Sequence, residues 1–377
     1  MVPRSRLLIT RSFPHFFHSL GAASVSLVLA IGCGGGNSDG AAGASGSGAD
    51  SETSGFGGSA GTPSSFTFGE PVTLADGQPV SIRIAQDDTS LYVTNNGDSG
   101  KGNGSLVKVA KSGGVLETLA ENRERPMGVA VAGPNVYWTE RSAMGGVFVK
   151  TDGQAPVNLA MGLAYPNTIA VDERHLAWSF GARPPTIVIK DVANLSVVKQ
   201  FDFVYDSISQ LLLDAPRNQI IVVDRGDTWG KIEAVALFED RRTRLTPALS
   251  TLQAAAIHGT RLFFTIPGDG QVASLDLNTQ ADLRANARGL NRPWGIAVDD
   301  EYFYVTERFS PADGPCTESI GTLKAFPVAG GEPTLLARDL PCPSSIVVDS
   351  SAIYWVNNGV GETGNGGLVM KVDKLPQ

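Results

Sequence analysis

The chain has 377 residues, with 30 Lys and Arg against 38 Asp and Glu, a formal net charge of −8. Without residues 1–32, which hold three Arg and no acids, 27 basic groups face 38 acidic ones, or −11. That balance excludes the basic footprint a nucleic-acid partner wants.

Taken in chain order, the first segment is a targeting signal, not part of a fold. Arg4, Arg6 and Arg11 precede an apolar stretch ending in "VSLVLAIG" at 25–32, then Cys33 and three glycines. The Ala30-Ile31-Gly32-Cys33 box resembles a bacterial lipoprotein signal, in which the cysteine is lipidated and the preceding peptide removed. Gly34 in place of Asp resembles the pattern that lets a lipoprotein move on to the outer membrane. The apolar run is shorter than the ~20 residues of a membrane span. Residues 34–65 are Gly-, Ser- and Ala-rich and offer almost nothing to bury, so they read as a tether with a reach of about 30 Å. The expected order is a signal at 1–32, lipidated Cys33 with its tether to 65, and a folded body at 66–377.

That body is a repeat. One phrase is clearest in "RPMGVAVAGPNVYWTE" (125–140), "RPWGIAVDDEYFYVTE" (292–307) and "CPSSIVVDSSAIYWVN" (342–357). Weaker copies stand at 78–95, 165–180, 208–225 and 252–266. Each continues through a loop and two further short strands. Short segments rich in Val, Ile and aromatics, broken by Gly, Asn, Asp and Pro, are strand-and-turn grammar. Four strands in every ~40–50 residues are a β-propeller blade. The expected fold is all-β, a seven-bladed β-propeller.

The two ends fit together. "GEPVTLA" (69–75) matches the fourth-strand phrase "GEPTLLA" (331–337), while the last copy stops after its third strand. The N-terminal strand should therefore complete the C-terminal blade and shut the ring, which removes an exposed sheet edge. Blades 1 and 7 become neighbours, together with their loops "NNGDSGKGNG" (95–104) and "NNGVGETGNG" (357–366).

The phrase "RPWGIAVDDEYFYVTE" resembles the strand motif of NHL-type and streptogramin-lyase-type propellers. Residues 66–377 also resemble exported bacterial propeller lipoproteins with tandem VYWT-type repeats. The streptogramin-lyase resemblance implies a catalytic histidine and a divalent metal on the top face. After residue 32 the chain has only His175 and His258. Both fall in turns between first and second strands, on the bottom face, and read as exposed turn histidines. The catalytic set is thus missing, and no residue is assigned a catalytic role. The expected function is an envelope-tethered binding or scaffold propeller, a monomer. Its partner would be an envelope protein, glycan or small ligand, and its only link to the membrane a lipid anchor. The alternative is a metal-dependent lyase or hydrolase using top-face carboxylates in place of histidine.

On a propeller the loops joining second and third strands open on the same face as the blade connections. They are long in blades 6 (307–321), 7 (357–366) and 1 (95–104), which are consecutive in the closed ring, and extended loops on a rigid scaffold are where binding is usually placed. Cys316 and Cys342 map to that sector and, in an exported protein, should pair. The candidate binding face comprises Asn95, Asn96, Asp98, Glu140, Arg141, Asp224, Arg225, Trp294, Glu307, Arg308, Asn357, Asn358 and Glu362. Tyr165 and Met127 flank prolines of the blade connections and belong near the same face. No cofactor is called for, although oxygen ligands at the strand ends offer a place for Ca²⁺ or Mg²⁺. Trp138, Trp178 and Trp355 are expected in the core between blades.

Overall fold

The computed structural model describes residues 65–98, 100–202, 207–309, 316–360 and 366–377. Cys33, the signal, nearly all of the tether, and Glu362 lie outside these residues.

Seven antiparallel sheets follow one another along the chain. Blade 1 runs through Ser81–Gln86, Ser90–Asn95, Gly104–Ala110 and Glu117–Arg123. Blades 2 to 6 repeat that order from the inner strands Pro126–Ala132, Ile169–Val171, Ile208–Asp214, Ala255–His258 and Pro293–Val298. Blade 7 is built from both ends of the chain. Its strands Pro343–Val348, Ala352–Asn357 and Gly367–Pro376 are joined by Val72–Gln78 and Phe66–Phe68, both paired with the last strand. The expected closure is made, by two short strands where one was expected. The ten-residue last strand is long enough to hold both. Each inner strand touches the next, and Pro343–Val348 touches Ser81–Gln86, so the ring is shut.

The burial pattern explains why the repeated phrase looks as it does. A second strand is covered on both faces by neighbouring blades. Ser90–Asn95, Gln219–Asp224 and Ala352–Asn357 are buried at every position, so apolar residues fill both faces where a one-sided strand would alternate. Seven buried apolar clusters sit one in each blade interface, among the described residues. The cluster joining Leu91, Val93 and Val107 to Tyr354, Val356 and Val369 closes blade 7 on blade 1. Trp138, Trp178 and Trp355 belong to three of these interfaces, as expected.

The threonine of the phrase is a latch between blades. Thr94, Thr139, Thr265 and Thr306 donate their hydroxyls to the carbonyls of Met127, Asn167, Trp294 and Ser344 in the next blade, at 2.8–2.9 Å. Gly128 and Gly295 return an N–H to Thr139 and Thr306. A Cβ on Gly295 would come within 2.1 Å of the Ser344 carbonyl, so a side chain there would hold the blades apart.

Candidate functional site

The structure divides the strand-end polar residues of the candidate binding face into two sets. The polar residue that ends a second strand turns away from the channel, into its own blade or the seam with the blade before it. Asn95 is fully buried and bonds Ser81, Gln78 and Ser105. Glu140 accepts from Arg123 and from the Trp138 indole. Asp224 accepts from the N–H groups of Ser207 and Gly226. Glu307, 1% exposed, accepts from Asn291 N–H, Thr322 and Lys324. Asn357 donates to the Met370 sulfur. The next residue along faces the other way, because side chains alternate along a strand. In that position Arg141, Arg225, Arg308 and Asn358 line the mouth of the central channel.

The same position carries the clasp that holds each mouth residue to the blade entry. The N–H groups of Arg141, Arg225 and Arg308 donate to Arg125, Ser207 and Arg292 carbonyls. The twin Asn-Asn-Gly phrases make this clasp twice over. Asn96 and Gly97 bond Val80 and Pro79; Asn358 and Gly359 bond Cys342 and Pro341. Gly97 has φ +65° and a Cβ there would strike Asn103 and Gly104, so its glycine is required by the turn. Asp98 holds the same loop through Lys101 and Asn103.

Two cavities share the top face. The first, about 260 Å³, is the channel mouth, lined by Arg83, Met127, Arg141, Arg225, Trp294, Arg308, Ser344 and Asn358 among others. The second, about 560 Å³, lies over blades 2 to 4, between Arg141, Tyr165, Asn167, Arg183 and Asp227. Arg141, Asn167, Ser207, Ile208 and Arg225 line both. The larger opening is thus across the ring from the long loops of blades 6, 7 and 1, of which 99, 310–315 and 361–365 lie outside the described residues. On that side Cys316 and Cys342 form the expected disulfide, with Cα atoms 5.6 Å apart and both residues buried.

Arg83 was not singled out from the sequence. It stands where the clear copies have Gly128, Gly295 or Ser345, and a charge in that place is the signal that could have found it. Its guanidinium crosses the channel from blade 1 to the Ser209 carbonyl of blade 4, at 3.1 Å. Arg308 lies over the Trp294 ring at 3.8 Å and donates to the Pro343 carbonyl. Asn358, with its amide set as its neighbours require, donates to Ser81 and Ser344 and accepts from Arg308 Nη2 at 2.9 Å.

The histidines are far from this mouth. His258 lies on the bottom face and bonds Asp300 at 2.9 Å. His175 corrects the expectation of an exposed turn residue. It opens the second strand of blade 3 and is 7% exposed, tucked beside Asp172 and the Phe238 ring. Among the described residues, no three His, Cys, Asp or Glu side chains converge as a metal would need.

Solved structures share this architecture. The WD40 repeats of RRP9 superpose with a TM-score of 0.62 at 13% identity, over 82% of this chain and 99% of that one. The WD40 β-propeller domain of Doa1 gives 0.60 at 12%, over 81% and 97%. U3-55K gives 0.60 at 13%, over 81% and 98%. The likeness is one of fold. No family model and no curated protein matches the sequence. A propeller fold is compatible with a binding or scaffold role, and many unrelated functions sit on it.

Proposed function

We propose that this protein is an exported, lipid-tethered binding propeller that takes its ligand on the top face. The observation that carries the reading is the pair of joined cavities there, built on rigid strand ends and walled by the blade connections. The ligand enters over blades 2 to 4 and reaches the channel mouth, with the long loops of blades 6, 7 and 1 as the opposite border. Loop residues Met144, Tyr165 and Trp229 of blades 2 to 4 stand exposed on the same face, and aromatic anchors such as Tyr165 and Trp229 dominate recognition.

The tether fits this orientation. Ser65 bonds Glu301, in a turn between first and second strands, so the chain joins the propeller on the bottom face. A lipid on Cys33 would hold the protein at the outer membrane of the envelope, through the tether read from the sequence at 34–65.

Two experiments test the reading. Cys33→Ser should move the protein from the membrane to the soluble fraction; unchanged fractionation refutes the anchor. Mass spectrometry of material co-purifying with the full chain should show a species lost in Ala182→Trp, which fills the larger cavity from an exposed loop. Val115→Trp, on an exposed bottom-face turn, should retain it. Equal retention in both variants overturns the top-face site.

A further inference from the structure

We propose that the channel mouth is an anion-binding site, and that it takes a compact oxyanion, a carboxylate or phosphoryl group, carried by the top-face ligand. The inference rests on the top-face reading and names the chemistry of its deepest point. Three arginines carry it: Arg83 across the floor, Arg308 on the wall, and Arg141 at the rim, all lining one cavity.

Their partners are of an unusual kind. Arg83 donates to a backbone carbonyl, and Arg308 to a carbonyl and an amide oxygen. Among the described residues no carboxylate lies within ion-pair distance of Arg83, Arg141 or Arg308. The acids next door in sequence, Glu140 and Glu307, are turned away from the channel and neutralised by Arg123 of the preceding blade and by Lys324. The strand alternation that brings the guanidinium groups to the mouth removes their natural counter-charges from it.

The electrostatic consequence is a positive well in a protein of net charge −8. Burial, and then the neighbouring charges of Arg83, Arg292 and Arg225, press the Arg308 pKa below its ordinary value. A guanidinium nevertheless stays protonated. The crowding therefore persists as repulsion in the free protein, and an entering anion relieves it.

The geometry suits an oxyanion. A guanidinium presents a planar fork of donors that matches carboxylate and phosphate oxygens. Trp294 supports one face of Arg308 and fixes its plane; with Nε on Pro343 and one Nη2 hydrogen on Asn358, the Nη1 end of the fork is left for a ligand. Ser344 lines the same cavity, its hydroxyl held by the Ile82 and Val356 carbonyls and by Asn358.

The test uses the full chain with inorganic phosphate, sulfate and citrate as probes, each against NaCl at equal ionic strength. Thermal shift and calorimetry should show saturable binding of at least one probe. Phosphate or sulfate without citrate assigns a phosphoryl-type group; citrate alone assigns a carboxylate. Arg308→Gln and Arg141→Gln should each weaken that binding about tenfold or more, the worth of one charged hydrogen bond. Arg308→Gln should also change the unliganded Tm little, because removal of a crowded charge offsets the lost bonds to Pro343 and Asn358. Arg83 braces the channel, so the conclusion does not depend on a variant there. Absence of saturable binding by all three probes, or undiminished binding in both variants, overturns the inference. Loss of the co-purified species in Ala182→Trp alone would then leave the top-face reading standing without it.

Discussion

The turns of the bottom face and the mouth of the channel handle charge in opposite ways. On the bottom face the strand-turn aspartates Asp87, Asp299 and Asp349 are each satisfied several times over. Asp87 accepts from two backbone N–H groups and the Tyr92 hydroxyl. Asp299 does the same with Tyr304 and adds Lys374 from blade 7. Asp349 receives Lys111 from blade 1. These pairs cross blade boundaries, so they tie blades 6, 7 and 1 at the closure. At the mouth, Arg83 and Arg308 meet carbonyls, an amide and an aromatic face. Neutralised charge marks where the ring is held shut; charge held apart from its counter-ions marks where a ligand is to be sought.

Four measurements would break or sharpen that contrast, and the largest effect belongs to the bottom face. Lys374 is 4% exposed in its side chain and bridges Asp299 and the Asp349 carbonyl, with Phe66 and Tyr304 around it. Lys374→Ala strips a half-buried carboxylate and the Asp349 carbonyl of their buried partner and should destabilise by about 3 kcal/mol, read by urea unfolding. A loss below about 1 kcal/mol would show that closure rests on strand pairing alone. Next comes the latch. Thr306→Val leaves the Gly295 N–H and the Ser344 carbonyl without their hydroxyl, and should destabilise by about 2 kcal/mol.

A smaller effect appears in acid. Burial alone would raise the pKa of Asp349, but hydrogen bonds from Lys111, Ser351 and the turn N–H groups outweigh it and hold it at about 2, below the ordinary 3.8. A lowered folded-state pKa contributes stability that is present above pH 3.8 and is lost as pH falls through about 2. Lys111→Met should flatten the Tm-against-pH curve within that window, and an unaltered curve would remove Lys111 from the network. The smallest change in stability is expected on the top face, where Arg308→Gln should shift the unliganded Tm by little. A drop as large as that of Lys374→Ala would make the mouth structural.

Local pattern carried most of the fold. The seven copies, their punctuation by Pro and Gly, and the matched "GEPVTLA" and "GEPTLLA" ends were enough for seven blades and for closure by the N-terminus. The reason is physical: each blade is one short meander whose turns and apolar strands are encoded within about 45 residues. The Cys316–Cys342 bond and the tryptophan cores followed from the same register. The repeated Asn-Asn-Gly phrases, legible as neighbours across the seam, prove to be double clasps on the entry to blades 1 and 7.

Tertiary structure decided the rest. Glu140 and Arg141, or Glu307 and Arg308, are adjacent letters, and only the pleat sends one away from the channel and the other to it. That Arg83 spans the channel to Ser209 depends on two strands 126 residues apart meeting across the ring. His175 looked like a turn residue and is buried, because Phe238 of the next blade covers it. Chain-local signals specify blades; the chemistry of the mouth arises from residues that no local window holds together.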